Sequence, residues 1–158
     1  MNLNLIRSLP TIAAAALFTV LPGTALATDD PSASRERGRV FEVSITNITR
    51  GQTFTPILVA THSARIAFFK LASPASDGLA FLAEDGSTAL LASELASSGE
   101  ALDAQTIPGL LAPGATATVQ VRARGRFDRL SLAAMLIPTN DSFVGLDSLD
   151  LPWSGGSV

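Results

Sequence analysis

A chain of 158 residues, 47% hydrophobic and without cysteine, is long enough for one core-bearing domain whose stability cannot lean on disulfides. A formal net charge of −3 at pH 7 argues against a nucleic-acid partner, which calls for a basic surface. No glycine-rich phosphate loop, dinucleotide fingerprint or Gly-x-Ser-x-Gly string occurs, so the usual nucleotide and serine-hydrolase signatures are missing.

At the N-terminus Arg7 precedes an apolar run from Thr11 to Val20, Pro22-Gly23 breaks it, and Ala25-Leu26-Ala27 offers the small residues that a signal peptidase accepts. Residues 1–27 are therefore expected to be a secretory signal cleaved after Ala27. The apolar run falls short of the roughly 20 residues a spanning helix needs, so no transmembrane segment is expected in the mature chain. Export would take the protein to the periplasm, the cell surface or the medium. Residues 28–38 (TDDPSASRERG) have nothing to bury and mix both charges, which predicts a flexible tether. The folded domain is expected over 39–158.

Phe41, Val43 and Ile45 alternate with Glu42, Ser44 and Thr46, the period of a strand with one face on a core and one in water. A loop containing Gly51 follows. Residues 57–60 and 66–71 are short apolar runs rich in β-branched and aromatic side chains, which predict two further strands around the polar Thr61-His62-Ser63. From Ser73 to Gly99 leucines recur among alanines, and Ser76 and Ser87 stand where helix N-caps belong, predicting two short helices broken at Asp85-Gly86. Pro108, Gly109, Pro113 and Gly114 mark a connecting loop over 106–114, and the alternation over 116–123 predicts a half-exposed strand. Arg122, Arg124, Arg126 and Arg129 surround Gly125, so the next turn is basic; the ordinary reading is a solvated hairpin end, the sharper one an anion or acidic-lipid contact.

Residues 130–137 (LSLAAMLI) are apolar on both faces of a strand, which predicts a central strand covered on both sides. Pro138 stops it, Asn140 and Asp141 suit a turn, and Phe143-Val144 re-enters apolar surroundings, fixing a carboxylate at the rim of a scaffold. Many short strands, one helical insertion and no βαβ alternation predict an all-β fold, an antiparallel β-sandwich.

The string Pro138-Thr139-Asn140-Asp141-Ser142-Phe143-Val144-Gly145-Leu146-Asp147-Ser148-Leu149 resembles the signature of the spondin N-terminal domain family. Upstream, Phe41 to Thr49 is similar to the family's opening strand, Phe54-Thr55-Pro56 and Ala60-Thr61-His62 to its Phe-Ser-Pro and Ala-Thr-His stretch, and Ala75-Ser76 with Leu82 to Gly86 to its helical insert. The resemblance covers about Val40 to the C-terminus. It implies a sandwich of C2-like layout and the matrix and cell-contact setting of the animal members. Those carry disulfides, so this cysteine-free chain is similar instead to a bacterial member.

The resemblance also implies calcium, because the family's turn aspartate ligates it together with two acids of a later Asp-Ala-Gly-Thr-Asp/Glu segment. Asp141 is the candidate calcium ligand here. The later segment does not occur before Val158, so a C-terminally truncated copy with an incomplete site is expected, the alternative being a member without the site. Asp147 and Asp150 are weaker candidate ligands, since they face opposite ways on a regular strand and need a bulge to meet one ion.

The single histidine, His62, is expected to be a strand-end residue bonding a loop; a Ser-His-Asp set around it is open but unsupported, and zinc lacks thiol partners. Glu84, Asp85 and Glu94 are expected to be solvated, and the sequon matches at Asn47 and Asn140 incidental. The preferred reading is a secreted, non-enzymatic binding or adhesion module whose partner is an extracellular or cell-surface protein or glycan. The alternatives are an extracytoplasmic hydrolase or sugar-active enzyme, and a self-assembling structural matrix protein.

Overall fold

Two antiparallel sheets pack face to face in the computed structural model, which describes residues 6–9 and 31–153. β1 (Ile6–Leu9) pairs with β2 (Arg39–Thr46), and β2 pairs along its whole length with β6 (Thr116–Ala123). The alternation in β2 and β6 has the predicted outcome: Phe41, Val43, Ile45 and Val121 are sealed inward. On the outer face the hydroxyls of Ser44 and Thr118 meet at 3.3 Å and those of Thr46 and Thr116 at 2.8 Å.

The second sheet is built on β7 (Arg129–Ile137). Along one edge of β7 run β3 (Thr53–Phe54) and β4 (Ile57–His62), along the other β8 (Phe143–Asp150), and β5 (Ala101–Ile107) pairs with β4. Between the sheets Phe41, Ile45, Val59, Val121, Leu130 and Leu132 form the main core. The opposite face of the second sheet is covered by α2 (Asp77–Asp85) and α3 (Ala89–Ser98), whose Leu79, Leu82, Leu91 and Leu95 pack on Leu58, Ala60 and Ala133. That cover explains why β4 and β7 are apolar on both faces, and each fully buried leucine contributes about 1.5–3 kcal/mol. The architecture is the all-β sandwich with a helical insertion that the sequence predicts. No helix among the described residues is long and apolar enough to cross a membrane.

Ser76 caps α2, its Oγ accepting from the Leu79 amide at 3.2 Å, and Gly86 ends the helix with φ 73°. The second cap differs from expectation: α3 starts after Thr88, not Ser87, without a side-chain cap bond. Gly78 is required by proximity, because a Cβ there would stand 2.6 Å from the Leu91 Cα. Its amide donates to Glu94 Oε1 at 2.6 Å, and Ser76 Oγ donates to Glu94 Oε2 at 2.8 Å, so Glu94 holds the start of α2 from α3 instead of being solvated.

Several other expectations are corrected. Residues 66–71 form no strand; Phe68 is apolar because it fills the cluster under the helices, stacked on His62 at 6.0 Å. β4 runs on through Thr61 and His62, both fully buried, and Thr61 Oγ1 donates to the Arg122 carbonyl at 2.5 Å, tying the sheets together. The expected tether contains a short helix, α1 (Pro31–Arg37), held by the Arg35 ion pair with Asp128 at 3.4 Å, by the Arg35 guanidinium 5.6 Å from the Trp153 ring centroid, and by the Gly125 amide donating to the Arg35 carbonyl. The apolar run at 11–20 and the expected cleavage point after Ala27 lie outside the described residues, whereas β1, inside the expected leader, borders β2.

Candidate functional site

Asp141, the residue singled out by its turn, stands exposed in the loop between β7 and β8 with φ 62°. The loop is closed beneath it by the Leu136 amide donating to the Ser142 carbonyl at 2.9 Å and by Thr139 Oγ1 donating to the Leu136 carbonyl. Beside the loop lies a cavity of about 200 Å³ lined by Leu79, Ala83, Glu84, Asp141 and Phe143, which places Glu84 of α2 and Asp141 on one cleft. Gly145 makes room for its wall: a Cβ there would meet Phe69 at 2.7 Å, and Phe69 packs edge-on against Phe143 at 5.4 Å.

Asp147 and Asp150 are arranged by a bulge. Leu130 faces Leu149 and Leu132 faces Leu146, so Asp147 and Ser148 together oppose Ser131, and Ser148 takes φ 55°. The extra residue turns Asp147 and Asp150 to the same face, against the expectation for a regular strand. They are nonetheless committed to different partners. Asp147 Oδ1 accepts from the Phe68 amide at 2.6 Å and from Ser131 Oγ at 3.2 Å, and its Oδ2 accepts from Ser148 Oγ at 2.9 Å. Asp150 pairs with Arg129 at 2.5 Å. Among the described residues no three His, Cys, Asp or Glu side chains come together as metal ligands. Glu84 and Asp141 are the two carboxylates lining this cleft.

His62 belongs to a buried network that sequence reasoning did not assemble. Its Nε2 lies 2.6 Å from Ser131 Oγ, its Nδ1 lies 2.8 Å from the Ser63 carbonyl, and both His62 and Ser131 are fully buried. The Ser63 carbonyl only accepts, so Nδ1 donates to it, while Ser131 Oγ bridges Nε2 and Asp147 Oδ1. The Ser148 amide donates to the same hydroxyl at 2.8 Å. Aspartate, serine and histidine thus stand in that order. Hydrolytic sets instead place the imidazole between carboxylate and nucleophile, with the nucleophile open to substrate. This network clamps β4, β7 and the β8 bulge; the periodicity of β7, in which Ser131 interrupts an apolar run, was its only sequence signal.

At the end where β7 begins, Arg126 and Arg129 of the basic turn are paired with acids. Glu100 Oε2 accepts from Ser63 Oγ at 2.5 Å, and Glu100 lies 3.3 Å from Arg65 and 3.5 Å from Arg126. The Ser63 hydroxyl, with help from the two guanidinium groups and against partial desolvation, holds the Glu100 carboxyl below its ordinary range. Asn47, the sequon residue at the other end, is fully buried: its Nδ2 donates to the Gln52 and Leu111 carbonyls at 2.8 and 2.9 Å, and its Oδ1 accepts from the Thr49 amide and hydroxyl at 3.0 and 2.7 Å.

Two comparisons place this arrangement among known proteins. Human Spondin-2 is 28% identical over 102 residues, which covers 62% of this chain, and the chain spans 31% of that relative's length. The family model described as Spondin_N matches residues 46–157, taking in β3 through β8 and the Asp141 loop. With more than half of its length under that model, the chain belongs to the spondin N-terminal domain family.

Proposed function

We propose that the chain is an exported, non-enzymatic binding and adhesion module whose partner is an extracellular or cell-surface protein or glycan. Family membership supports the extracellular-type setting. The observation that carries the non-enzymatic part is the placement of His62: the only imidazole of the chain is sealed in the core and engaged by Ser63 and Ser131. A rigid sandwich that presents a shallow cleft beside Asp141 and Glu84 suits recognition better than turnover. Calcium has no assigned part in this reading; Asp141 is a candidate rim contact, with Asp147 and Asp150 engaged elsewhere.

The test uses the fluorescently labelled chain from Thr28 onward on the producing cells. Saturable surface binding that unlabelled protein displaces supports the module. Ester or glycoside hydrolysis that disappears in Ser131→Ala would overturn the non-enzymatic reading. Intact mass of the protein recovered from the cell checks export: a product beginning at Thr28 agrees, and a cytoplasmic species retaining residues 1–27 contradicts it.

A further inference from the structure

Beyond the Asp141 end, a cavity of about 350 Å³ opens at the opposite end of β7, between the start of β2, β5 and the end of β6. Arg37, Arg39, Arg122 and Arg124 line it, with Asp103 as the lone acid. In a chain of net charge −3 this is a local excess of positive charge.

The acid does not cancel it. Asp103 Oδ2 accepts from the Arg122 backbone amide at 2.8 Å and Oδ1 from Gln105 Nε2 at 2.7 Å, so both oxygens are held by neutral donors. Arg124 directs Nε to the neutral Glu36 carbonyl at 3.0 Å. Among the described residues, neither Arg37, Arg122 nor Arg124 enters an ion pair, unlike Arg35, Arg65, Arg126 and Arg129 nearby.

The walls are fixed in place. The Gly125 amide donates to the Arg35 carbonyl at 2.8 Å and Arg124 Nε to the Glu36 carbonyl, so the segment carrying Arg37 is clasped at two points to the turn that follows β6. Gly38 then turns with φ 80° into the β2 ladder, where Arg39 faces Ala123. Guanidinium groups on rigid backbone match tetrahedral oxyanions in charge and in bidentate geometry, and the volume lies at the small end of ligand pockets, which start at about 300 Å³.

We propose that this cavity binds a single phosphate or sulfate monoester group. The proposal rests on the binding-module reading and adds the ligand chemistry; the two chemical sources are a phosphorylated or sulfated sugar and a phosphomonoester lipid headgroup. A concave pocket with only Leu102 as an exposed large apolar side chain in its lining recognises one headgroup or sugar ester and not an extended apolar surface.

The experiment titrates the chain from Thr28 onward with glucose 6-phosphate, glucose 6-sulfate and phosphatidic acid vesicles, each with inorganic phosphate as competitor, against glucose and phosphatidylcholine vesicles as controls. Saturable binding that phosphate displaces and that weakens about tenfold or more in Arg122→Ala and in Arg37→Ala supports the site, since one charge-assisted bond is worth about that factor. Arg122→Lys should recover only part of the affinity, because an ammonium cannot bind bidentately. Whichever of the sugar and vesicle arms responds names the source. Equal binding by the variants, the same loss in the distant Arg50→Ala, or no displacement by phosphate overturns the proposal. Arg37 lies outside the sheets, so that variant keeps the test valid if a β6 substitution disturbs folding. Cell-surface binding retained by Arg122→Ala would sink this site alone and leave the module intact.

Discussion

At the end of the sandwich where β7 begins, Glu100 gathers Ser63, Arg65 and Arg126, and Asp128 gathers Arg35 and Arg129. At the end where β7 finishes, Asn47 ties three backbone stretches together through neutral hydrogen bonds in full burial. The two constructions respond to different perturbations. The pairs of Glu100 reach arginines that are 71% and 49% exposed, so water and salt screen them. The bonds of Asn47 are buried or part-buried around a side chain with no exposure of its own, so a lost partner leaves a poorly solvated polar group behind. One end is therefore adjustable by conditions, the other only by mutation.

The largest expected effect removes both ends together. Leu132→Asp places an unpaired charge in the core strand they share, at a cost of several kcal/mol that is comparable with the whole stability of such a domain, and no cooperative melt should remain. Leu136→Asp, at a half-buried position, should be less severe. A melt within a few degrees of the parent for Leu132→Asp would break the assignment of β7 as the common spine. Next comes Asn47→Ala, expected to cost about 2–3 kcal/mol in urea unfolding, unaffected by added salt. Ser131→Ala, which frees His62 and the β8 bulge of their shared hydroxyl, should cost about 1–2 kcal/mol.

The charged end should give smaller changes with a distinct signature. The Glu100 carboxyl has a lowered folded-state pKa, so its stabilisation is present above the unfolded-state value and is lost as pH falls through the folded one. Thermal melts from pH 7 downward should therefore lose part of their acid sensitivity in Glu100→Gln, and salt should narrow the gap between variant and parent at pH 7. An identical pH profile for both proteins would show that this cluster does not behave as drawn. The smallest effect concerns calcium. With Asp147 and Asp150 engaged elsewhere, calcium is expected to leave the melting midpoint of this chain unchanged relative to chelator, in the parent and in Asp141→Ala alike. A calcium-dependent rise that Asp141→Ala removes would reveal a complete site.

Much of the frame was legible because its signals are local. The alternation of β2 and β6 and the doubly apolar run of β7 follow from which faces are covered, and Ser76 and Gly86 act within one helical turn. What escaped depends on distant partners. β5 sits beside β4 with much of its surface exposed, so its Ala101-Leu102-Asp103-Ala104-Gln105 carries no clean period. α1 has no apolar stripe and is held by Trp153, Asp128 and Gly125, all remote in sequence. Phe68 reads as strand but serves as a loop plug. At the candidate sites, Asp141 was visible from its turn, whereas the His62–Ser131–Asp147 clamp and the arginine-lined cavity join residues that only the folded sheets bring together.

Trp153 has an experimental consequence that follows from its position. It is the only tryptophan and the chain has no tyrosine, so near-ultraviolet absorbance and intrinsic emission come essentially from one ring. That ring is 4% exposed, edge-on to Phe41 at 5.6 Å and close to the Arg35 guanidinium. The protein thus has a built-in optical probe of the junction between α1 and β2, a few residues from the arginine-lined cavity. Fluorescence will report loosening of α1 or a ligand pressing on that corner, and will stay dark to fraying of the α2–α3 cover on the far side of the second sheet. Stability curves followed by emission and by circular dichroism are therefore observations of different parts of the molecule, and they coincide only if the sandwich and its helical cover unfold as one.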